Sequence, residues 1–273
     1  EIIQRRWPGN NDSAHCRVIR RIPARRLWRR IMRRCYETAE PGVLFVDRIN
    51  RLNNLAFREY LTTTNPCGEV PLPPYGACNL GSLNLTRFVL DTFTAGARID
   101  LDTMHRATGE AIRLLDNVID CSRFPLPEQK RQASGSSRVG LGVRGLADAL
   151  IMLGLHYDSE QARSEAATVM KTICHAAYET SVLLAREKKP FPFFQREPYL
   201  ESGFVKTLPV RLRDGIAKYG IRNSHLTAIA PAGTISLLAG NISSGLEPVF
   251  DFRTTRRILN REGRQDIFEL EDY

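Results

Sequence analysis

The sequence predicts an α/β fold, on three observations. Apolar residues recur at helical spacing over 24–38, 102–119 and 159–188, and apolar runs short enough to be strands occupy 42–46 and 225–230. A Pro/Gly turn at 231–236 then joins the second run to the start of a further helix. At 273 residues the chain can bury about 75% of its unfolded surface, enough for a sizeable core in one or two domains. A hydrophobic content of 42% with 25% charged residues is that of a globular protein in water. No apolar run reaches the ~18 residues needed to span a bilayer, and the arginine-rich start lacks the apolar segment of a secretory signal. No membrane association is expected, and the cytoplasm is the expected compartment.

Taken in order, residues 1–22 read as an irregular basic arm with a turn at Pro8, Gly9, Asn10 and Asn11, and residues 23–273 as the folded domain. The chain opens on Glu1, with no initiator methionine, so a piece of a longer protein is expected. Leu27, Trp28, Ile31, Met32 and Cys35 mark one face of a helix over 24–38, with Pro23 suited to its first turn. Residues 42–46 read as a strand, and 84–90 as a short strand or helix start. Met104, Ala107, Ala111, Leu114, Leu115 and Val118 align on the 102–119 helix, which Pro125 and Pro127 end, and 134–137 reads as a loop. A helix over 143–153 stops at Gly154. Asp158 or Ser159 caps the next one, which runs to about Lys188 with Ala166, Val169, Met170, Ile173, Ala177 and Val182 near one stripe. Within it His175 is expected as a packed or surface residue. Phe191, Phe193 and Phe194 are expected as core anchors, and 208–219 as a helix ended by Gly220.

The formal charge of +9 is confined to one arm. Between Glu1 and Arg34 there are 11 arginines and two acids, and the remaining residues balance to zero. A nucleic-acid module would spread its basic residues over a folded face, so nucleic acid is not expected as a partner. Six cysteines show neither CxxC nor a Cys/His spacing suited to zinc, so no metal site is expected and one or two functional thiols are. Gly140, Gly142 and Gly145 spell GxGxxG, but the residues before Gly140, QASGSSR, do not read as the strand that a dinucleotide site needs. Small residues that permit close helix packing are the expectation there.

The stretch 64–85, TNPCGEVPLPPYGACNLGSLNL, carries the candidate chemistry. In an extended segment Asn65, Cys67 and Glu69 would project from one face, and Pro71, Pro73, Pro74 and Gly76 stiffen the path to Cys78. An amide, a thiol and a carboxylate suit radical or nucleophilic work on a polyol: the thiol can lose a hydrogen atom, the carboxylate can take a hydroxyl proton, and the amide can hold a hydroxyl. The residue types alone leave open a proline-rich surface loop with a buried cysteine. At 231–236 a strand, a Gly-containing turn and a helix start present backbone N–H groups to an anion, and they fit an ordinary strand-to-helix turn equally well.

NPCGE followed by PLPPYGACNLGSLNL resembles the finger loop of adenosylcobalamin-dependent (class II) ribonucleotide reductases. PGVLFVDRINRLNN, GLGVRGLADALIMLG and IRNSHLTAIAPAGTISLLAGNISSGLEPVF resemble further blocks of that family in the same order, from Pro23 to Phe250. The resemblance implies part of a ten-stranded α/β barrel threaded by a central finger loop. It implies ribonucleotide reduction to 2′-deoxyribonucleotides by a thiyl-radical mechanism, with adenosylcobalamin as cofactor, a ribonucleoside di- or triphosphate as substrate and a dithiol such as thioredoxin as reductant. A homodimer is a further partner to test. By the same resemblance Cys67 removes the 3′ hydrogen, Glu69 takes the 3′ hydroxyl proton, Asn65 holds the sugar hydroxyls and Cys78 is one of two reducing thiols. Ala232, Gly233, Thr234, Ile235 and Ser236 receive the phosphates.

The sequence departs from the family in three places. The second reducing cysteine lies upstream of the finger loop in the family, and Cys16 has no matching context; Ala232 and Arg144 each stand where the family has Thr. The piece alone is not expected to turn over. The alternatives are a large subunit that takes its radical from a separate metal subunit, and a noncatalytic nucleotide- or RNA-binding remnant using the arginine arm.

Overall fold

A computed structural model describes residues 1–6 and 12–271 of the chain. At the N-terminus the expected irregular arm is a pair of antiparallel strands, β1 (Ile2–Arg6) and β2 (Ser13–Arg17), registered Ile2 to Arg17 through Arg6 to Ser13. The turn expected at Pro8–Asn11 lies outside the described residues. Helix α1 (Ala24–Thr38) forms over the expected span, with Pro23 as its N-cap and Ala39 closing it in the left-handed region. None of its residues is buried: the apolar stripe of Leu27, Trp28 and Met32 is open to solvent.

The run 42–46 is not a strand. Val43, Leu44 and Phe45 stay exposed, and α2 (Val46–Arg51) begins where Phe45 offers its carbonyl to Arg48 and Ile49. Asp47 in the first turn and Arg48 and Arg51 in the last complement the helix dipole, which favours this outcome over pairing. Two short strands, β3 (Thr63–Thr64) and β4 (Pro71–Leu72), pair antiparallel. Then β5 (Asn79–Asn84) leads through a 3-10 turn (Leu85–Phe88) into β6 (Val89–Leu90), which pairs with β7 (Arg98–Ile99), so that 84–90 contains both of the expected possibilities.

Asp100 caps α3 (Leu101–Cys121) by accepting from the Thr103 amide. Its buried face is Met104, Thr108, Ile112, Leu115, Asp116 and Ile119; of the expected stripe Met104 and Leu115 are buried and Ala107 and Ala111 pack on the core, while Leu114 and Val118 are exposed. Pro127 opens α4 (Pro127–Ser136) at its first position, and this helix takes in most of the expected 134–137 loop. Strand β8 (Val139–Arg144) follows, and Gly145 at φ 71° turns the chain into α5 (Leu146–Met152). Ser159 caps α6 (Glu160–Lys188) through Ala162 N. The remaining helices are α7 (Arg196–Leu200), α8 (Val210–Tyr219), ended by Gly220 at φ 76°, and α9 (Gly233–Leu238). An exposed hairpin, β9 (Arg253–Leu259) with β10 (Gln265–Glu271), follows.

The core lies where α3 and α6 pack on each other and on β8, through Met104, Ile112, Leu115, Leu141, Ile173, Tyr178 and Leu184. Phe191 is buried among them and meets Phe194 and Tyr199 edge-to-face, as expected of anchors. Gly109 lets α3 approach α6, since a Cβ there would stand 3.1 Å from Thr180 Oγ1. Strand β8 is buried on both faces, as a central parallel strand must be. On one side it pairs in parallel with β5, Asn79 opposite Val139 through Asn84 opposite Arg144. On the other it bonds residues 225–228 (Val139 N to His225 O, 3.1 Å; Leu141 N to Leu226 O, 2.9 Å), where the expected strand contributes a single bridge, Leu141 to Thr227.

The GxGxxG glycines therefore lie in and after a strand, and what they admit is a neighbouring chain segment and not a helix. A Cβ on Gly142 would fall 2.4 Å from the Ala228 carbonyl oxygen. Gly142→Ala is expected to destabilise the protein by about 1–3 kcal/mol, read as a lowered urea midpoint with unchanged slope. The fold is mixed α/β, and the sheets among the described residues are two-stranded with no closed barrel.

Candidate active site

The hairpin β3–β4 brackets a reversal at 65–70 held by three bonds: Asn65 N to Val70 O (3.3 Å), Val70 N to Asn65 Oδ1 (3.0 Å) and Gly68 N to Asn65 O (3.1 Å). Gly68 sits at φ 86°, where a side chain would strain the backbone. The extended alternation expected for Asn65, Cys67 and Glu69 is thus replaced by a turn. Asn65 spends its carbonyl oxygen inside the turn, Cys67 is exposed at its tip, and Glu69 is half-buried with Oε2 unpartnered among the described residues.

Cys78 immediately precedes β5. Extending the parallel register by one residue sets it across from Arg138, and its sulfur stands 3.3 Å from where a Cβ on Gly140 would be, beside the closer Leu80 Cδ2 and Ala228 Cβ. Burial pushes the Cys78 thiol up to about 12, while the Arg138 charge pulls it down and the Glu69 carboxylate pushes it up. Glu69, Cys78 and Arg138 therefore share one electrostatic neighbourhood. Iodoacetamide at pH 8 is expected to label exposed Cys67 more than about tenfold faster than Cys78, which is held protonated; peptide mapping by mass spectrometry checks this.

The 231–236 segment forms as expected. Ala232 is the N-cap of α9, Ser236 N bonds Ala232 O (2.8 Å), and Ser236 Oγ donates to Gly233 O (2.8 Å). The amides of Gly233, Thr234 and Ile235 open the helix, where an N–H has no intrahelical acceptor, and space beside Gly233 is open. Arg144, one of the departures noted above, donates to Ile235 O (2.9 Å) and ties the end of β8 to α9. Gly233 and Ser236 border a cleft of about 350 Å³ with Asn241, Ser243, Glu247 and Arg256. Among the described residues no hydrogen bond joins turn 65–70 to 231–236; the path between them runs through β5, β8 and 225–228.

Two further groups escaped the sequence reading. Arg138 and Glu59 form an ion pair whose side chains are 2% and 6% exposed. The partners are far apart in the chain, so only the arginine before a glycine-rich strand hinted at it. Asp148 accepts from Ser243 N (2.9 Å) and Gly145 N donates to Ser243 O (2.7 Å), bracing the loop after α9. Among the described residues no group of three or more His, Cys, Asp or Glu is arranged to hold a metal ion, and no helix is long and apolar enough to cross a membrane.

A family model for the barrel domain of ribonucleotide reductase matches residues 9–270. The chain belongs to that family. Within it, the chain is similar to the vitamin B12-dependent ribonucleoside-diphosphate reductase of Mycobacterium tuberculosis, 41% identical over 245 residues, which is 90% of this chain and 32% of the relative. The enzyme of the same name from Thermoplasma acidophilum is 38% identical over 93% of the chain and 30% of its own length. The ribonucleoside-diphosphate reductase subunit alpha of Chlamydia pneumoniae is 30% identical over 92% of the chain and 26% of its own. The chain thus spans about a third of the length of the two vitamin B12-dependent relatives. The family resemblance carried by NPCGE and ACNLGSLNL therefore extends over almost the whole chain.

Proposed function

We propose that the chain is the part of an adenosylcobalamin-dependent ribonucleotide reductase that carries the radical thiol, its general base and one reducing thiol. The observation that supports this most is the turn at 65–70: it carries an exposed Cys67 at its tip and, two residues on, a carboxylate with a buried oxygen that has no hydrogen-bond partner among the described residues. In this reading Cys67 loses its hydrogen atom and takes the 3′ hydrogen of the ribose. Glu69 accepts the 3′ hydroxyl proton on its carboxylate. Asn65, whose Oδ1 is committed to Val70, keeps its Nδ2 hydrogens to donate to the sugar hydroxyls. The 2′ hydroxyl leaves as water with a proton from one thiol, and the 2′ carbon takes a hydrogen atom from the other. The sulfur pair passes an electron and Glu69 returns its proton to the 3′ oxygen, and Cys67 gives back the 3′ hydrogen, leaving the two thiols as a disulfide. Cys78 is one of them; Cys16, in the exposed β1–β2 pair, is not placed as the other.

The phosphates would lie on the amides of Gly233, Thr234 and Ile235 within 232–236, since Ala232 N and Ser236 N are spent on Ser244 O and Ala232 O, and the relatives named as diphosphate reductases favour a ribonucleoside diphosphate. The exposure of Cys67 fits the approach of a bulky cofactor to its sulfur, and adenosylcobalamin, when bound, would supply the radical from its cobalt–carbon bond. Residues 23–273 would then be part of the ten-stranded barrel, with β5, β8 and 225–228 as consecutive staves and 65–70 as the finger, and 1–22 as an arm outside it. Thioredoxin-type reduction, a homodimer and a cytoplasmic setting belong to the same proposal. Single turnover of the full-length parent with adenosylcobalamin, a dithiol and a ribonucleoside diphosphate tests it: deoxynucleotide is expected, and none without the cofactor.

A second reading has one observation in its favour, the exposed arginines of α1 and its flanking arm. A noncatalytic RNA-binding remnant would bind RNA in a salt-sensitive way and lose it on deletion of 1–22, with Cys67 dispensable.

A further inference from the structure

Arg138 is an expensive residue to bury, and the chain builds a socket for it. Nη2 donates to Glu59 Oε1; Glu59 is in turn fixed by Gln132 Nε2 on Oε2 at 2.7 Å. Nε donates to His225 Nδ1 at 3.3 Å. Because a guanidinium only donates, Nδ1 must be the accepting nitrogen, so the imidazole is neutral with its proton on Nε2. Burial, then the Arg138 charge, holds His225 well below the usual imidazole range, in agreement with that form. One donor of the fork, Nη1, is buried with no hydrogen-bond partner among the described residues. A buried pair is weak evidence for stability, since apolar side chains of the same size would often serve as well, so a use for the cation is worth seeking.

The neighbour that could use it is Cys78. Residues in parallel register project from the same face, and so do residues two apart on one strand. Cys78 is opposite Arg138, and its sulfur lies over Gly140, two residues along β8 from Arg138. We propose that Arg138 is a positioning residue for Cys78: held by Glu59 and His225, it keeps a fixed cation beside the sulfur and favours its anionic, reactive form. This rests on the reading of Cys78 as a redox thiol and deepens it. Glu69 is the opposing anion on the same sulfur, and Glu59 partly neutralises Arg138 from behind.

Alkylation of the full chain by iodoacetamide at pH 8, followed at the Cys78 peptide by mass spectrometry, tests the role without any turnover. A cation at this range moves a thiol by about one to three units, partly offset by the greater nucleophilicity of a more basic thiolate. Arg138→Gln is expected to slow labelling of Cys78 about three- to thirtyfold, whereas Arg138→Lys stays within about twofold of the parent. Glu59→Gln, which keeps the hydrogen-bonding shape and removes the opposing charge, is expected to speed it. A merely structural role predicts the reverse for Arg138→Gln, because a loosened strand pair exposes the sulfur. Unchanged or faster labelling in Arg138→Gln, or an equal loss in Arg138→Lys, overturns the proposal. Should Arg138→Gln fail to fold, an unchanged or slower rate in Glu59→Gln overturns it instead. Turnover of Cys78→Ser in the full-length parent tests the redox reading separately, so either can fail alone.

Discussion

Cys67→Ala in the full-length parent is expected to reduce deoxynucleotide formation to background while leaving the fold intact. Both halves follow from where the residue sits. Its sulfur is exposed at the tip of a turn whose bonds are made by Asn65, Gly68 and Val70, so deleting the thiol removes none of them. A surface substitution of this kind changes stability by less than about 0.5 kcal/mol, which urea unfolding would verify. Chemistry is another matter, since no other thiol is placed to take over as hydrogen-atom carrier: Cys78 stands eleven positions on, ahead of a different strand, with its sulfur packed near Gly140. Residual product formation above a few per cent in Cys67→Ala would remove the basis for the proposed mechanism.

The largest stability effect is expected at Asp116, far from that turn. Its carboxylate is fully buried on α3 and accepts from Arg222 Nε (2.9 Å), Asn223 Nδ2 (3.0 Å) and Lys188 Nζ (2.9 Å). Asp116→Ala leaves two cations and an amide facing a cavity, with the half-exposed Asp120 still paired to both cations and Asn117 Oδ1 still accepting from Lys188. A loss of about 3–5 kcal/mol is expected, seen as a shift of the urea midpoint. Arg113→Ala, which breaks the exposed Arg113–Glu187 pair between the same two helices, should cost less than about 1 kcal/mol. Equal losses in the two variants would show that burial is not what gives Asp116 its weight.

These two residues also mark how far the sequence could be read. Helices α1, α3, α6 and α8 were legible because spacing, caps and stops agree: Ser159 bonds Ala162 N, and Gly220 adopts the positive φ that ends α8. The buried face of α3 is legible only in part: Met104, Ala107, Ala111 and Leu115 lie on or near it, but Thr108 and Asp116 belong to it too, and apolar periodicity does not count polar residues whose partners come from elsewhere. Thr108 is satisfied by Met104 O one turn back, and Asp116 by residues on α6 and after α8. Residues 42–46 have strand-forming side chains but, among the described residues, no strand beside them, which a local window cannot detect. For the candidate site, the residue types of 65–78 were plain in the sequence and their arrangement was not. Alternation implies a common face only in extended backbone, and Gly68 reverses the chain in the middle of the motif.

The pairing of β5 with β8 has a consequence for biosynthesis. Cys78 acquires its shelter from a strand made much later, so on the ribosome its sulfur is open to water until the segment carrying Gly140 has emerged. During that interval it ionises near the free-thiol value of about 8.5, within reach of Cys67 eleven positions back on the same nascent loop. Reducing conditions during translation are therefore expected to keep the two thiols from pairing before β8 arrives.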